Sequence, residues 1–524
     1  MFPPVKRVAI IGGGTAGWMT AAWMAQVMRR NIEDIVLVES DDIGTVGVGE
    51  ATIPSIRKYN HWLGLDEDEM LRRTQGTFKL GIEFVNWGHI GNRYHHSFGP
   101  NGRELYNMPF HAAWLRGGAG DLGDYNLQTQ ASLHNKFMRP TGANSPLASI
   151  VYAFQFDASL FARYLREFSE TRGVQRVEGK IVDVTLRPDD GFIDAVTLEN
   201  GTRIAADLFI DCSGFRGLLI DGAMKSAFVD WSNWLPCDRA WAVPTSSPRS
   251  SAARAPHNSS GGRSALPEGE PSGMRSNDIP PYTRSTAHTA GWQWRIPLQH
   301  RVGNGHVFAS AFMDEDEARR ILLDNLDGEP LAEPRLLKFK AGRRQAFWVK
   351  NCVAIGLSGG FLEPLESTSI FLIQNAIARL QVLFPDKGFD PVDIAFFNAQ
   401  SVKEYEDVRD FIILHYKLSR RSDSAFWTYC RDMPVPDRLQ QRMALFQSRG
   451  RIFEEKGEQF GLSSWLAVLW GQGLRPAAPD PMTLAMSEDQ ARAWLAETKS
   501  TIDQCCAHMP SHADFIARHC AADT

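Results

Sequence analysis

The chain has 524 residues, 43% of them hydrophobic and 22% charged, which is the composition of a globular protein with a large apolar core. Its net charge of −5 combines both signs, so we expect no nucleic-acid surface and no polybasic membrane patch. The seven cysteines show no metal-ligand spacing, so no metal is expected. Neither a signal-peptide pattern nor an apolar run of about 18 residues is present, which predicts a cytoplasmic protein without a membrane segment.

The first 40 residues predict a strand, a glycine turn, a helix and a second strand. The strand is expected at residues 7–11, the helix at residues 18–30 and the second strand at residues 35–39. The turn GGGTAG fits G-x-G-x-x-G, and Glu39 ends the second strand, which together are typical of a dinucleotide site. The backbone and the helix N-terminus would bind a pyrophosphate, and Glu39 would accept hydrogen bonds from a ribose. The turn residues expected at the cofactor are Gly12, Gly14, Thr15, Ala16 and Gly17.

Three further glycine-rich segments favour FAD over a nicotinamide cofactor. Residues 47–54 (GVGEATIP) could run along an extended dinucleotide. Residues 211–217 (DCSGFRG) and 356–360 (GLSGG) each follow a predicted strand, at residues 206–210 and 352–355. No second complete fingerprint is present, so we expect a separate protein to supply the reducing equivalents. The residues expected to contact FAD in these segments are Gly49, Glu50, Ala51, Asp211 and Gly356.

The predicted fold is α/β: a three-layer (GR2-like), Rossmann-type FAD-binding domain, discontinuous in sequence, with a C-terminal helical subdomain. We place the first domain at residues 1–390, with substrate-side segments at about 55–150, and the helical subdomain at residues 391–524. Helical patterns at residues 402–420 and 437–455 support this subdomain.

Residues from about 245 to 277 differ in composition from the rest of the chain. They are rich in Ser, Pro, Gly and Arg and contain few apolar side chains. Such a composition cannot build a core, so we predict a flexible surface insertion and assign it no function.

Residues 291–297 (GWQWRIP) carry two tryptophans at alternating positions. By composition alone this pattern predicts a half-buried strand with both indoles in the core. The segment also fits W-x-W-x-I-P, and it occurs with the glycine fingerprint, GVGEAT, TFKLG at residues 77–81, DCSGFRG, and FLEPLEST at residues 361–368. The chain resembles the flavin-dependent halogenases of the tryptophan halogenase family in these motifs and in their order. The resemblance extends over nearly the whole chain. The motif residues are Trp292, Trp294, Ile296 and Pro297.

The resemblance implies a two-component halogenase. Reduced FAD from a separate NAD(P)H-dependent flavin reductase would react with dioxygen and halide to give hypohalous acid, which would halogenate an electron-rich aromatic ring. The two motif indoles would lie near the flavin and keep the substrate away from it.

Lys79 resembles the essential lysine of the family and would bind hypohalous acid or form a haloamine. Burial near other cations would assist both roles by lowering the pKa of Lys79. Glu366 matches the catalytic glutamate, which would polarise the halogenating species or accept the ring proton and would be kept ionised by a helix N-terminus. A homodimer is compatible with these expectations.

Residues 366–369 (ESTS) precede an apolar helical run at residues 370–384 that Pro385 stops. From sequence alone, Thr or Ser could simply cap this helix. The alternative is that the N–H groups of Thr368 and Ser369 bind an anion, and the resemblance implies that this anion is the halide. Many family members have Gly where Ser369 stands, so a preference for bromide over chloride is our hypothesis.

The sequence indicates the substrate-binding residues less clearly than the cofactor-binding and catalytic ones. His96 and Phe98 form the H-x-F pattern that sandwiches an indole in family members, and the alternative is a loop histidine with a core phenylalanine. Enzymes for free tryptophan carry a C-terminal segment with paired Tyr and a Glu, followed by Phe-Trp, which this chain lacks. Its segment GLSSWLAV at residues 461–468 offers Trp465 for stacking instead. We therefore expect indole, an indole derivative or another aromatic compound as substrate.

Two alternative functions are a flavin-dependent aromatic hydroxylase and a flavin-binding redox protein without turnover. A hydroxylase would need aromatic access to the flavin and an NAD(P)H site, and W-x-W-x-I-P and the missing second fingerprint argue against both. A redox protein would give Lys79 and Glu366 no role.

Overall fold

The computed structural model describes residues 2–42, 49–105, 107–118, 120–143, 145–247 and 279–523. The predicted insertion, apart from residues 245–247, and Gly47 and Val48 of the GVGEAT segment lie outside the described residues. The strands are β1 (Arg7–Ile11), β2 (Asp34–Glu39), β3 (Gly49–Ala51), β4 (Thr77–Lys79), β5 (Gly81–Val85), β6 (Arg93–Ser97), β7 (Ala153–Asp157), β8 (Val174–Glu178), β9 (Ile181–Leu186), β10 (Ile193–Leu198), β11 (Arg203–Ala205), β12 (Leu208–Asp211), β13 (Phe228–Asp230), β14 (Arg239–Thr245), β15 (Thr283–His288), β16 (Gly291–Pro297), β17 (Val302–Phe308), β18 (Arg335–Lys338), β19 (Gly342–Arg344), β20 (Trp348–Val349), β21 (Cys352–Ala354) and β22 (Gly360–Phe361). The helices are α1 (Thr15–Val27), α2 (Ser55–Leu63), α3 (Glu67–Arg73), α4 (Phe110–Arg116), α5 (Leu127–Leu133), α6 (Ala158–Glu170), α7 (Glu315–Asp324), α8 (Ser369–Val382), α9 (Pro391–Lys417), α10 (Ala425–Asp432), α11 (Asp437–Arg449), α12 (Leu462–Gly471), α13 (Glu488–His508) and α14 (His512–His519).

The N-terminal βαβ unit belongs to a six-stranded sheet of order β20-β21-β12-β1-β2-β8. All neighbours pair in parallel except β20 with β21. The predicted strands are confirmed, with their ends moved by up to two residues, and they return to this sheet from distant parts of the chain. Helix α1 begins at Thr15, three residues earlier than predicted, because Gly14 is already its N-cap residue. The structure confirms a discontinuous Rossmann-type domain.

A seven-stranded sheet of order β18-β14-β17-β16-β15-β5-β6 carries much of the candidate site. Its strands are antiparallel except for the pair β15 and β5. The W-x-W-x-I-P motif lies on β16, and the H-x-F motif lies at the edge strand β6. In a separate three-stranded sheet, β3-β7-β4, the GVGEAT segment and the strand that ends at Lys79 pair with opposite edges of β7.

The C-terminal part is helical, as predicted. Helix α9 begins at Pro391, eleven residues before the predicted start, because Asp390 caps it by accepting a hydrogen bond from Val392 N–H. Helix α11 ends at Arg449, since Gly450 adopts a left-handed conformation with φ of 72°. One apolar core includes side chains from β1 to α14, so a domain boundary at residue 390 stays a prediction. None of the described helices is both long and apolar enough to cross a bilayer.

Asn351, just before β21, ties the six-stranded sheet to the β-meander of β9, β10 and β11. Its buried amide accepts a hydrogen bond from Ile193 N–H and donates to Ile193 C=O, both at 2.9 Å. We predict that Asn351→Ala lowers the free energy of unfolding by about 2–4 kcal/mol, because two buried backbone groups lose their partner. Urea unfolding checks this, with the exposed Asn200→Ala as control. Equal stability of both variants would contradict it.

Candidate active site

The glycine turn after β1 combines close packing with an open face. A Cβ on Gly12, whose φ is +110°, would lie 2.3 Å from the carbonyl oxygen of Cys212, and one on Gly17 would lie 1.8 Å from the Gly12 carbonyl. A Cβ on Gly14 would meet no heavy atom of the described chain within 4 Å. Gly14 precedes the N-terminus of α1, which has no side-chain cap. The turn therefore fits an anionic group such as a pyrophosphate.

Glu39 lies against this turn, since a Cβ on Gly13 would overlap its carboxylate. The side chain accepts hydrogen bonds from Trp18 Nε1, at 3.3 Å, and from Arg176 Nε. The sequence did not predict Arg176. It lies on β8, and only the pairing of β8 with β2 brings its side chain near Glu39. The position of Glu39 fits a ribose contact, which stays a prediction.

The other two predicted turns pack beside the glycine turn. Gly356, with φ of +81°, has no room for a Cβ, which would lie 2.8 Å from Cβ of Ala16. The carboxylate of Asp211 is buried and accepts hydrogen bonds from the N–H groups of Leu219 and Ile220, both at 2.8 Å. Asp211 therefore shapes its own turn, and Ser358 Oγ donates to its carbonyl oxygen.

The GVGEAT segment meets the W-x-W-x-I-P strand. A Cβ on Gly49 would lie 3.3 Å from Cγ2 of Ile296, one residue before Pro297 ends β16. Glu50 and Ala51 continue β3, and burial raises the pKa of Glu50 to about 7. A neutral Glu50 can lie beside an apolar ring system at lower cost than a carboxylate.

The two motif tryptophans lie on the same face of β16, with ring centroids 6.1 Å apart, and both are buried. The indole N–H of Trp292 donates to Glu363 Oε1 at 3.3 Å, and the Tyr416 hydroxyl donates to the same oxygen. Burial raises the pKa of Glu363 to about 7. The motif is thus fixed to the FLEPLEST segment through a buried carboxyl group that sequence reasoning missed.

Lys79 at the end of β4 is fully buried. Its Nζ donates to Ser367 Oγ at 2.8 Å and to the Thr52 carbonyl at 3.1 Å, and lies 5.3 Å from the centroid of the Phe98 ring. Burial lowers the pKa of Lys79 to about 7, although the charge of Glu366 opposes this shift. Near neutral pH the amine is therefore present in both its protonated and its neutral form.

Glu366 is also buried, in the single helical turn Pro364–Glu366. Nδ1 of His96 lies 2.9 Å from Oε2, and Nε2 of His415 lies 2.7 Å from Oε1. Burial alone would raise the pKa of Glu366, but the charges and hydrogen bonds of the two histidines outweigh burial and lower it to about 2. The structure thus adds two imidazoles to the helix N-terminus that we expected to keep this carboxylate ionised.

The predicted anion site lies at the start of α8. The helix begins at Ser369, Thr368 is its N-cap residue, and no side chain caps it. Simple capping by either hydroxyl, the alternative from sequence, is therefore absent from these described residues. The helix ends at Val382, three residues before Pro385. Halide binding by the two N–H groups stays a prediction.

An aromatic cluster lies on the far side of His96. The Phe411 ring is 5.7 Å from His96 between centroids and stacks on Phe460 at 3.8 Å. Trp465 lies behind Phe411, at 5.2 Å, and its indole N–H donates to the Phe460 carbonyl. Sequence reasoning missed both phenylalanines, and the only signal was that Phe460 adjoins the segment predicted to stack. A substrate contact by Trp465 stays a prediction.

Comparison with known proteins identifies the class to which this site belongs. The tryptophan halogenase family model matches residues 7–488. The chain is 34% identical to tryptophan 6-halogenase SttH of Streptomyces toxytricini, over 93% of this chain and 92% of that protein. Its fold is similar to Xcc4156, a flavin-dependent halogenase from Xanthomonas campestris, with a TM-score of 0.91, 43% identity and 99% of both chains covered. It is equally similar to BrvH, a flavin-dependent halogenase from Brevundimonas sp. BAL3, with a TM-score of 0.90, 44% identity and coverage of 98% of this chain and 99% of that one.

The chain therefore belongs to the tryptophan halogenase family and is a flavin-dependent halogenase. The family predicted from the sequence motifs is confirmed.

The low pKa of Lys79 predicts how its removal changes stability with pH. Below pH 7 the buried charge of Lys79 destabilises the folded protein. The free energy of unfolding of Lys79→Met should therefore be up to about 4 kcal/mol higher than that of the original chain. Above pH 7 only the unfolded chain keeps this proton, so the original chain gains stability as the pH rises towards 10 and the difference shrinks. Urea unfolding between pH 6 and 10 measures it.

The exposed Lys58→Met is the matched control and should show no such trend. A difference for Lys79→Met that does not change with pH would contradict a neutral Lys79.

Proposed function

We propose that this enzyme uses reduced FAD, dioxygen and a halide to halogenate a small electron-rich aromatic compound such as indole or an indole derivative. Lys79 and Glu366 are its catalytic residues, and a separate NAD(P)H-dependent flavin reductase in the cytoplasm supplies the reduced flavin. The observation that supports this proposal most directly is that the fold places these two side chains in one buried region. Both are buried, and Ser367, next to Glu366, accepts the hydrogen bond of the Lys79 ammonium.

The glycine turns fit FAD as the cofactor. Its pyrophosphate would lie at Gly14 and the first N–H groups of α1, and its adenosine ribose at Glu39. The GVGEAT segment and the turn at Gly356 would border the rest of the cofactor. When bound and reduced, the flavin supplies the reaction with dioxygen that oxidises the halide. The N–H groups at the start of α8 would hold that halide.

Lys79 has two possible ways to act on hypohalous acid. As an ammonium it donates a hydrogen bond to the oxygen and polarises the bond between oxygen and halogen. As a neutral amine its lone pair takes the halogen, and the hydroxide that leaves combines with the amine proton to give water and a haloamine. A pKa of about 7 makes both forms available.

Glu366 takes the proton that the aromatic ring must lose. Transfer of the halogen to a ring carbon gives a cationic intermediate, and loss of the proton from that carbon restores aromaticity. This cation is a very strong acid, so even a carboxylate with a pKa of about 2 can accept the proton. An ionised carboxylate also stabilises the cation before the proton leaves.

The side chains around this pair suit an apolar ring. Phe98 lies beside Lys79, and Phe411 and Phe460 lie beside His96. SttH is named as a tryptophan halogenase, but the present chain lacks the segment that would bind the ammonium and carboxylate of an amino acid. The guanidinium of Arg442 lies 4.7 Å from the centroid of the Trp465 ring, but its charge is already paired with Glu458, to which it donates at 2.9 Å. We therefore favour a smaller indole over free tryptophan.

A single assay tests the proposal and the role of Lys79. Purified protein, a flavin reductase, NADH, air, bromide and indole should give brominated indole, detected by mass spectrometry. Lys79→Ala should abolish the product while FAD binding, followed by fluorescence quenching, stays within about twofold of the original chain.

Lys58→Ala is the control for the lysine substitution and should remain active. Oxygenated indole would instead indicate a hydroxylase, and no product with any aromatic compound would indicate a flavin protein without turnover. Halogenated product from Lys79→Ala would overturn the role of Lys79.

The identity of residue 369 predicts the halide preference. With bromide and chloride at equal concentration, we expect brominated product to dominate, and Ser369→Gly to lower the ratio of brominated to chlorinated product. The reason is that the added side chain beside the anion site reshapes the space around the halide. Product ratios from mass spectrometry measure the preference, and a dominant chlorinated product from the original chain would contradict it.

A further inference from the structure

Glu363 holds the indole of Trp292 in the core, together with a tyrosine of α9. Oε1 of Glu363 accepts hydrogen bonds from Trp292 Nε1, at 3.3 Å, and from the hydroxyl of Tyr416. All three side chains are buried, with exposed fractions of 1% or less. One carboxyl oxygen therefore joins β16, α9 and the FLEPLEST segment, which are far apart in sequence.

The surroundings of the other carboxyl oxygen favour a protonated group. Oε2 of Glu363 is buried and has no hydrogen-bond partner among the described residues. The titratable groups that face the carboxyl group are Tyr416, Cys430 of α10 and Cys237, just before β14, and burial raises the pKa of all three. In the described chain no cation contributes to the pKa of Glu363, which burial raises to about 7. Below pH 7 Glu363 is therefore neutral, with its proton on Oε2, because Oε1 already accepts two hydrogen bonds.

The face of β16 that carries Trp292 meets two segments that we expect to lie near FAD. Side chains alternate along a strand, so Trp292, Trp294 and Ile296 point to the same face. At one end Ile296 lies against the GVGEAT segment, because a Cβ on Gly49 would come within 3.3 Å of its Cγ2. At the other end Trp292 is bonded to Glu363 of the FLEPLEST segment. The Trp294 indole occupies this face between the two contacts and is only 8% exposed.

The hydrogen bond to Glu363 is the directional contact of the Trp292 ring. Its other ring neighbours are Trp87, at 6.3 Å, and Trp294, at 6.1 Å, between centroids. An indole has a single hydrogen-bond donor, so the acceptor of that donor fixes the orientation of the ring. Without the acceptor the buried N–H group is unsatisfied, and positions in which the ring turns away become favourable by comparison.

We propose that Glu363 is a positioning residue, which as a neutral carboxyl group fixes the Trp292 ring and so keeps the aromatic substrate away from the flavin. It acts through Trp292 and touches neither the substrate nor the halide. When the ring is displaced, indole meets the reduced flavin and dioxygen directly. One oxygen atom then enters a ring C–H bond and the other leaves as water, and the reduced flavin supplies the two electrons. This inference rests on the proposed function.

The first test follows the Trp292 indole without any turnover. In protein with ¹⁵N-labelled tryptophan, the Trp292 signal is assigned by its loss in Trp292→Phe, and its hydrogen exchange is measured at pH 6. Exchange in Glu363→Leu should be at least about tenfold faster than in the original chain. Glu363→Gln should stay within about threefold, because its amide oxygen accepts both hydrogen bonds and its NH₂ group replaces the protonated oxygen. Equal exchange in Glu363→Leu and the original chain, or Glu363→Gln as fast as Glu363→Leu, would overturn the proposal.

Tyr416→Phe tests the same contact with a smaller change. It keeps the ring but removes the hydrogen bond that orients Glu363, so Trp292 should exchange at least about threefold faster. An unchanged exchange rate of Trp292 in this variant would also contradict the proposal, even if Glu363→Leu does not fold.

Gln381→Leu is the matched control. The buried indole of Trp23 donates to Gln381 Oε1 at 2.9 Å, so this change removes the side-chain acceptor of another tryptophan, outside the candidate site. Exchange at Trp23 should become faster, while exchange at Trp292 stays as in the original chain. If Gln381→Leu accelerated exchange at Trp292 as much as Glu363→Leu does, the effect would be general destabilisation and the proposal would fail.

The second test determines the class of product. With a flavin reductase, NADH, air, bromide and indole, the ratio of oxygenated to brominated indole should rise at least about tenfold in Glu363→Leu. It should stay unchanged in Glu363→Gln and in Gln381→Leu. A slower Glu363→Leu that still gives only brominated indole would mean a merely structural role and would contradict the proposal. If the original chain halogenates nothing, the proposed function fails, but the exchange of Trp292 still decides whether Glu363 holds the indole.

Discussion

The proposed active site depends on one constraint, which is that an amine and a carboxylate are both kept away from water without forming a direct ion pair. Lys79 and Glu366 are buried, yet the Lys79 ammonium bonds to Ser367 and to a backbone carbonyl. A direct salt bridge would hold the lysine permanently protonated and occupy the carboxylate. In the proposed mechanism, the hydrogen bond to Ser367 keeps the amine available to a halogen, while the carboxylate lies beside the two histidines.

This arrangement requires parts of the fold that are distant in sequence. Lys79 comes from the three-stranded sheet, His96 from the edge of the seven-stranded sheet, Glu366 from the turn before α8, and His415 from α9. No segment holds the site alone, and each contributes one polar group to an otherwise apolar junction. Ser367 supports the same geometry at the cost of a left-handed backbone, with φ of 58°.

The sequence predicted those parts that are encoded locally. The strand and glycine turn at residues 7–17 follow from periodicity and glycine spacing, and short motifs marked Lys79 and Glu366 as candidates, whose catalytic roles stay predictions. His415 was not found, since a single histidine in the apolar run FIILHY is typical of a core residue. Arg176 and Glu363 were missed for the same reason: their importance arises from partners that only the folded chain brings near. The predicted end of α11, at residue 455, was wrong by six residues. Gly450 ends the helix, although the helical sequence pattern continues beyond it.

The three glutamates of the site show how burial and neighbours divide the charge. Burial raises the pKa of both Glu50 and Glu363 to about 7, because no cation lies beside either carboxyl group among the described residues. Glu366, as deeply buried as Glu363, has a pKa of about 2 because two imidazoles lie beside it. Below pH 7 the negative charge is therefore concentrated at one carboxylate. Since the proposed reaction brings an anionic halide into the same interior, neutral Glu50 and Glu363 reduce the repulsion that this halide meets.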